Sequence, residues 1–250
     1  MKPAFLTDAP TRLDRFLSHA TGFSRAEVKR LLRTDVVTVD ALPASDPAMQ
    51  VHPHQSIALH GEPLDWPGRR YLMLHKPTGY VCGLDDTHYP AVNALVDAPW
   101  SASLHSAGRL DVDTTGLVLL TNDGQWSHRI TSPRRNCQKT YLVGLAAPVD
   151  ATLVRRFADG LLLQGETRPT LPARIALLDS HHARVTVREG RYHQVKRMFA
   201  ACGNHVLSLH RERIGAIQLD AALAAGQWRL LVPAEIDFIL ADPHENDDDV

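Results

Sequence analysis

Gly108-Arg109-Leu110-Asp111-Val112-Asp113-Thr114-Thr115-Gly116 runs straight into the apolar run Leu117-Val118-Leu119-Leu120 and closes on Thr121-Asn122-Asp123-Gly124. A short aliphatic run bounded by turn formers reads as a buried strand. The segment before it then stands at the edge of a core, and it brings two carboxylates, Asp111 and Asp113, and one guanidinium, Arg109. Ionisable groups in such a position are where desolvation and neighbouring charge tune protonation for chemistry. The segment therefore reads as a catalytic loop, against the plainer alternative of an acidic turn leading into a strand.

If the loop is extended, Asp111 and Asp113 share one face, because side chains two apart in a strand point the same way. Three chemistries are then open. One is a carboxylate pair acting on a sugar, which requires a definite separation between the two acids. Another is an aspartic protease, since Asp113-Thr114-Thr115-Gly116 is close to an Asp-Thr-Gly loop; it carries an extra Thr, occurs once, and would need a second chain for the second acid. The third is a single reactive Asp kept ionised by nearby cations.

Outward from the loop, Tyr71-Leu72-Met73-Leu74 reads as a short strand ending in the turn His75-Lys76-Pro77-Thr78-Gly79-Tyr80, where Lys76 is expected to cap the turn. Lys139-Thr140-Tyr141-Leu142-Val143 alternates as a strand and offers Tyr141 on one face. Ala183 to Arg191 reads as a strand and turn, followed by a helix from His193 to Ala201 that stops at Gly203. Many strands separated by moderate helices, without regular βαβ alternation, give an α+β class with a mixed, mainly antiparallel sheet.

The first part of the chain has a different texture. Leu13, Phe16, Leu17 and then Val28, Leu31, Leu32 follow helical spacing, with Gly22 between and Ser24 as N-cap of the second helix. Arg25, Lys29 and Arg33, at i, i+4 and i+8, form a basic stripe on that helix. Val36-Val37-Thr38-Val39, Val51 and Ile57-Ala58-Leu59 suggest short strands. The turn-rich stretch 61–70 reads as a linker, giving a module over 1–60, a second domain over 71–240 and an acidic, solvated tail over 241–250.

The chain has 250 residues, 44% hydrophobic and 22% charged, enough for a small module and a larger domain. Net charge is -1, but its distribution is uneven: Arg184 to Arg213 holds seven basic residues against Glu189 and Glu212, and Arg25 to Arg33 holds four against Glu27. Localised basic faces suit phosphate contact. There is no long apolar run or basic-then-apolar leader, so no membrane partner and a cytoplasmic location are expected. The cysteines, Cys82, Cys137 and Cys202, form no C-x-x-C pair and read as free thiols. His52, His54, His60, His181 and His182 lack Cys or carboxylate neighbours at ligand spacing, so no metal is expected.

Two stretches of the chain carry a resemblance. Arg12 to Leu17, Ser24 to Leu32 and Val36 to Asp40 resemble the small RNA-binding module named after ribosomal protein S-four, except that Asp40-Ala41-Leu42-Pro43 stands where that family has an Asn-Gly turn, which implies a longer turn here. Gly108-Arg109-Leu110-Asp111, Lys139-Thr140-Tyr141 and Glu189-Gly190-Arg191-Tyr192-His193-Gln194-Val195-Lys196-Arg197-Met198 resemble the three motifs of the pseudouridine synthases, in their small-subunit branch. Thr121 to Pro133, Gly203-Asn204-His205 and His210 to Gly215 support the match.

That resemblance implies an isomerase that detaches uracil from ribose, turns the base over and rejoins it through carbon, with no cofactor. It implies Asp111 as the reactive carboxylate, Lys196 as its main cation with Arg197 as the alternative, and Tyr141 stacked on the uracil. Arg109 is expected to fill the gap left by a flipped base, and Asp113 to brace the loop by hydrogen bonds to backbone groups. Arg25, Lys29, Arg33, Arg191 and Arg197 join Arg109 as expected RNA contacts. The implied partner is 16S rRNA or a small-subunit assembly intermediate, met by a monomer. The competing reading is an inactive RNA-binding or ribosome-assembly factor.

Overall fold

The structure, a computed structural model, describes residues 10–66, 68–83, 88–98 and 100–238. The acidic stretch 241–250 lies outside the described residues. Those before Tyr71, together with Val96–Leu104, form one unit; Tyr71–Leu95 and those from His105 onward form the other.

The first unit begins with β1 (Thr11–Arg12), α1 (Leu13–Thr21) and α2 (Arg25–Leu31). Gly22 ends α1 in a left-handed conformation, its N–H donating to the Ser18 carbonyl at 3.0 Å. Ser24 opens α2 with a capping box: its hydroxyl accepts from the Glu27 N–H, and the Glu27 carboxylate accepts from the Ser24 N–H at 2.8 Å. Strands β2 (Val37–Val39), β3 (Leu42–Pro43), β4 (Gln50–Val51), β5 (Ile57–Leu59) and β6 (Glu62–Pro63) come next. β1 pairs with β4, and the others form a sheet in the order β3-β2-β5-β6. Leu13, Phe16, Leu17, Val28, Leu32, Val37, Val51 and Ile57 are buried together as its core.

Three expectations change here. Asp40 and Ala41 have φ of 51° and 65°, and Val39 pairs directly with Leu42, so the turn is a tight two-residue hairpin turn, not a longer one. Asp40 supports it by accepting from the Ser56 N–H at 2.9 Å and from Gln55 at 2.8 Å. Next, His60 and Gly61 make the same kind of turn into β6, and Trp66 packs on Phe16 with ring centres 4.8 Å apart. The stretch from Gly61 to Trp66 thus belongs to the small sheet and its core instead of a linker. Finally, α2 ends at Leu31, so Arg25 and Lys29 lie on the helix and Arg33 in the turn after it; all three are exposed.

The second unit comprises β7 (Tyr71–Lys76), β8 (His105–Ser106), β9 (Thr115–Thr121), α3 (Gly124–Thr131), β10 (Lys139–Leu145), α4 (Ala151–Asp159), β11 (Arg174–Leu177), β12 (His182–Val187), α5 (Gln194–Ala201), β13 (Val206–Ile214), β14 (Ile217–Gln218), β15 (Trp228–Leu230) and α6 (Pro233–Phe238). Its sheet runs β11-β12-β10-β13-β9-β7-β15, with β8 on β9 and β14 on β13. Every pairing is antiparallel except β9 with β13, so the fold is α+β with a mixed, mainly antiparallel sheet. Leu117, Val118, Leu119 and Leu120 are fully buried in β9, as their aliphatic character requires.

The parallel seam sets the spacing between the acidic loop and the aromatic strand. Gly116 lies opposite Arg211 across it, with φ of 106°, and a Cβ there would collide with the Arg211 backbone. On the other side of β13, Arg211 faces Tyr141 of β10. One residue of β13 therefore stands between the end of the loop and Tyr141.

Candidate active site

Asp111 to Thr114 is a turn and not an extended strand: the Thr114 N–H donates to the Asp111 carbonyl at 3.1 Å, and the Gly79 N–H to the Val112 carbonyl at 2.8 Å. The segment is not extended as expected, yet both carboxylates still reach one cation, Lys196. The turn is built around Lys76, which is fully buried at the end of β7. Its ammonium donates to the carbonyls of Pro77 (3.0 Å), Asp111 (2.9 Å), Val112 (3.3 Å) and Thr114 (2.7 Å). Burial pulls its pKa below the usual lysine value, with the charges of Cys82, Asp113 and Asp111 opposing that. Lys76 thus has the structural role expected of it.

The start of the loop is held by Arg211, which is 1% exposed. Its guanidinium donates to the carbonyls of Leu117 at 2.8 Å, Arg109 at 3.2 Å and Gly108 at 3.3 Å, and it lies 3.5 Å from the Tyr141 hydroxyl. The guanidinium also sits 6.0 Å from the centre of the Tyr141 ring. Sequence reading overlooked this residue, counting it among surface cations; the signal available was its place in an alternating strand that must pair on both sides. The Leu110 side chain is buried, and its N–H donates to Cys82 Sγ at 3.3 Å. The Arg109 side chain is exposed.

α5 brings the cation. Lys196 Nζ lies 3.2 Å from Asp111 Oδ2 and 2.6 Å from Asp113 Oδ1. Asp113 is thus an ion-pair partner of Lys196, whereas its expected role was to brace the loop through backbone groups; that bracing falls to Lys76 and Arg211. The reason is reach: Asp113 projects from the turn with its side chain 66% exposed, on the side α5 approaches. Its hydrogen bond from Lys196 is the main cause of a pKa below the usual carboxylate value. Burial opposes the charge of Lys196, but the two aspartates together raise its pKa above normal.

His193, just before α5, adds a contact not anticipated: its Nε2 lies 3.4 Å from Asp111 Oδ1. It has φ of 47° and ψ of 36°, the left-handed region that a residue with a side chain seldom adopts.

Arg197 and Arg191 turn elsewhere. Arg197 donates to Glu166 at 3.0 Å and to the carbonyls of Tyr192 (3.1 Å) and Gln164 (2.8 Å), so it is not the cation of Asp111. Arg191 reaches Glu189 at 3.1 Å and Glu166 at 3.4 Å and donates to the carbonyls of Arg168 (2.9 Å) and Pro169 (2.6 Å). Both tie the segment around Glu166 to the start of α5, and internal partners take the donors that phosphate was expected to take. The structure therefore gathers Asp111, Asp113, Lys196 and His193, links Tyr141 to the loop through Arg211, and directs Arg191 and Arg197 to Glu166.

Chemically, the arrangement offers a carboxylate 28% exposed beside a cation, on a loop that Arg211 links to a buried tyrosine. The cation stands beside the acid without occupying it fully, since it is shared with a second acid. Such a carboxylate can act as nucleophile or base.

Residues 70–201 match the family model described as RNA pseudouridylate synthase. The chain is 52% identical over 226 residues to "Ribosomal small subunit pseudouridine synthase A" of Pasteurella multocida, covering 90% of this chain and 97% of that one. It is likewise 52% identical to the Escherichia coli (strain K12) protein of the same name, covering 90% of this chain and 98% of that one. A solved structure described as "Crystal structure of pseudouridylate synthase" superposes with a TM-score of 0.67 at 47% identity, over 91% of this chain and 99% of that one.

Proposed function

The chain belongs to the RNA pseudouridylate synthase family, and from that premise we propose that it isomerises a uridine of small-subunit rRNA to pseudouridine, with Asp111 as the reactive carboxylate. The observation that carries the proposal is the pairing of Asp111 with Lys196, contributed by segments 85 positions apart, within the region that the family model matches. The relatives' shared name supports the small-subunit substrate. It also speaks against the reading as an inactive binding factor.

In this account the uridine leaves its stack at a cost of a few kcal/mol and its ribose comes to Asp111. The carboxylate attacks the anomeric carbon or takes a proton from the neighbouring carbon. The nitrogen–carbon bond breaks, the uracil turns against Tyr141, and a carbon–carbon bond replaces the lost one; the ring carbon gives up its proton and the nitrogen gains one. Substrate and product have the same atoms, so no co-substrate enters. Lys196 places its positive charge beside Asp111, facing the charge that the carboxylate carries into the reaction. Arg109, exposed at the loop, stacks in the vacated position. Arg25, Lys29 and Arg33 add sequence-independent phosphate contacts. The protein acts as a cytoplasmic monomer on rRNA or on a small-subunit assembly intermediate.

The test is a map of pseudouridine in the rRNA of cells lacking the protein. Loss of one small-subunit site, restored by the wild-type chain, is the expected result. An unchanged map overturns the proposal.

A further inference from the structure

Tyr192 is 76% exposed, the largest value among the exposed large hydrophobic side chains of the described residues. It does not wave freely. One ring face stacks on His193, with centres 3.8 Å apart and planes within 19°. Arg197 donates to its carbonyl at 3.1 Å, the Gln194 N–H donates to the Arg191 carbonyl at 3.2 Å, and the Arg191 N–H donates to the Gln194 side chain at 2.9 Å, so both ends of the short segment are pinned. His193 in turn reaches Asp111 at 3.4 Å and holds a left-handed backbone conformation. Such strain persists only where surrounding contacts over-determine it, and it gathers at functional sites. Here it turns the imidazole toward the carboxylate and leaves the phenol as the outer layer of a two-ring stack.

We propose that Tyr192, backed by His193, is a stacking shelf for the nucleobase next to the uridine being isomerised. Resting on the reading of the site above, the assignment names a substrate contact that the three motif residues do not supply. The geometry suits it: a rigid aromatic face open to solvent, one ring removed from the acid that receives the ribose. Every base has a π-face, so such a shelf holds the strand without reading its sequence. When the uridine leaves its stack, Arg109 takes the vacated position and Tyr192 supports the exposed face of one neighbouring base.

The test is a cycle between protein and substrate, using a single-stranded fragment of small-subunit rRNA that contains the target uridine. Fragments carry an abasic residue on the 5′ or the 3′ side of that uridine, and Kd is measured for wild type, Tyr192→Ala and Tyr192→Phe. Tyr192→Ala weakens binding of the intact fragment about tenfold, and Tyr192→Phe, which keeps the ring, binds as wild type does. At one of the two flanking positions the abasic substitution and Tyr192→Ala are not additive. Additive losses at both positions overturn the shelf, as does Tyr192→Phe behaving like Tyr192→Ala. Turnover of the same fragment is scored separately: a non-additive cycle without conversion by wild type keeps the shelf and removes the isomerase reading, while conversion with an additive cycle does the reverse. Absence of RNA binding by wild type removes both.

Discussion

Lys196 stands 2.6 Å from Asp113 but 3.2 Å from Asp111, so the cation of the site is held more closely by the carboxylate that is not assigned the reaction. Asp113 acts as a tether. It fixes the ammonium beside Asp111 while leaving Asp111 free to meet a ribose.

The tether has a pH signature. Asp113 has a lowered pKa, so the stability it contributes is present above the ordinary carboxylate value and is lost as pH falls through the lowered one. Lys196 has a raised pKa, so its contribution is present below the ordinary lysine value and is lost as pH rises through the raised one. The bridge is closed throughout the neutral range. Water screens the exposed Asp113, so the effect on global stability is small and the readout must be local. In Lys196→Ala, the carbon-13 carboxyl titration of Asp113 moves up toward its ordinary midpoint, and kcat falls about a hundredfold. An unmoved midpoint would show that something other than Lys196 holds Asp113 down.

Arginines at the site divide by their partners. Arg191 is bound to Glu166, Glu189 and two carbonyls, whereas the Arg109 side chain is exposed. Arg109→Ala lowers the slope of log Kd for RNA against log salt by about one. Arg191→Ala leaves the slope near wild type and instead destabilises the fold by about 2 kcal/mol, through unpaired carboxylates and carbonyls. Salt titration and denaturant unfolding of the two variants separate these roles, and a lost slope in Arg191→Ala would return that residue to the RNA contact.

Gly116 is required by two constraints at once, a φ of 106° and the nearness of the Arg211 backbone. Gly116→Ala strains the conformation and forces the parallel seam apart, costing about 2–4 kcal/mol by urea unfolding. A loss below about 1 kcal/mol would mean that β9 and β13 separate without penalty.

Ala41 presents the opposite case. It holds φ of 65° in a hairpin turn that suits glycine, so Ala41→Gly stabilises the first unit by about 1 kcal/mol. Thermal unfolding checks the sign, and a lower midpoint for Ala41→Gly contradicts the turn assignment.

The sequence disclosed the elements whose cause is local. Leu117 to Leu120 had to be buried and Ser24 announced a helix start; the pairing of Lys196 with Asp111 was an implication of the family resemblance, not of any local cause. What escaped was set by partners far along the chain. Arg211 looks like one more surface cation until β9 and β10 enclose it. Arg191 and Arg197 look free until Glu166, from a stretch with no periodic signal, is seen between them. Asp113 changed role because a turn, not a strand, carries it, and that turn depends on Lys76, which is 35 positions earlier than Asp111. Charge counted along a window cannot register such pairings; only the fold brings them together.

The most direct measurement is conversion of uridine in a small-subunit rRNA fragment by wild type and by Asp111→Asn, with RNA affinity followed in parallel. The account predicts pseudouridine from wild type, none detectable from Asp111→Asn, and Kd within about threefold between them. Equal conversion by both proteins would contradict it.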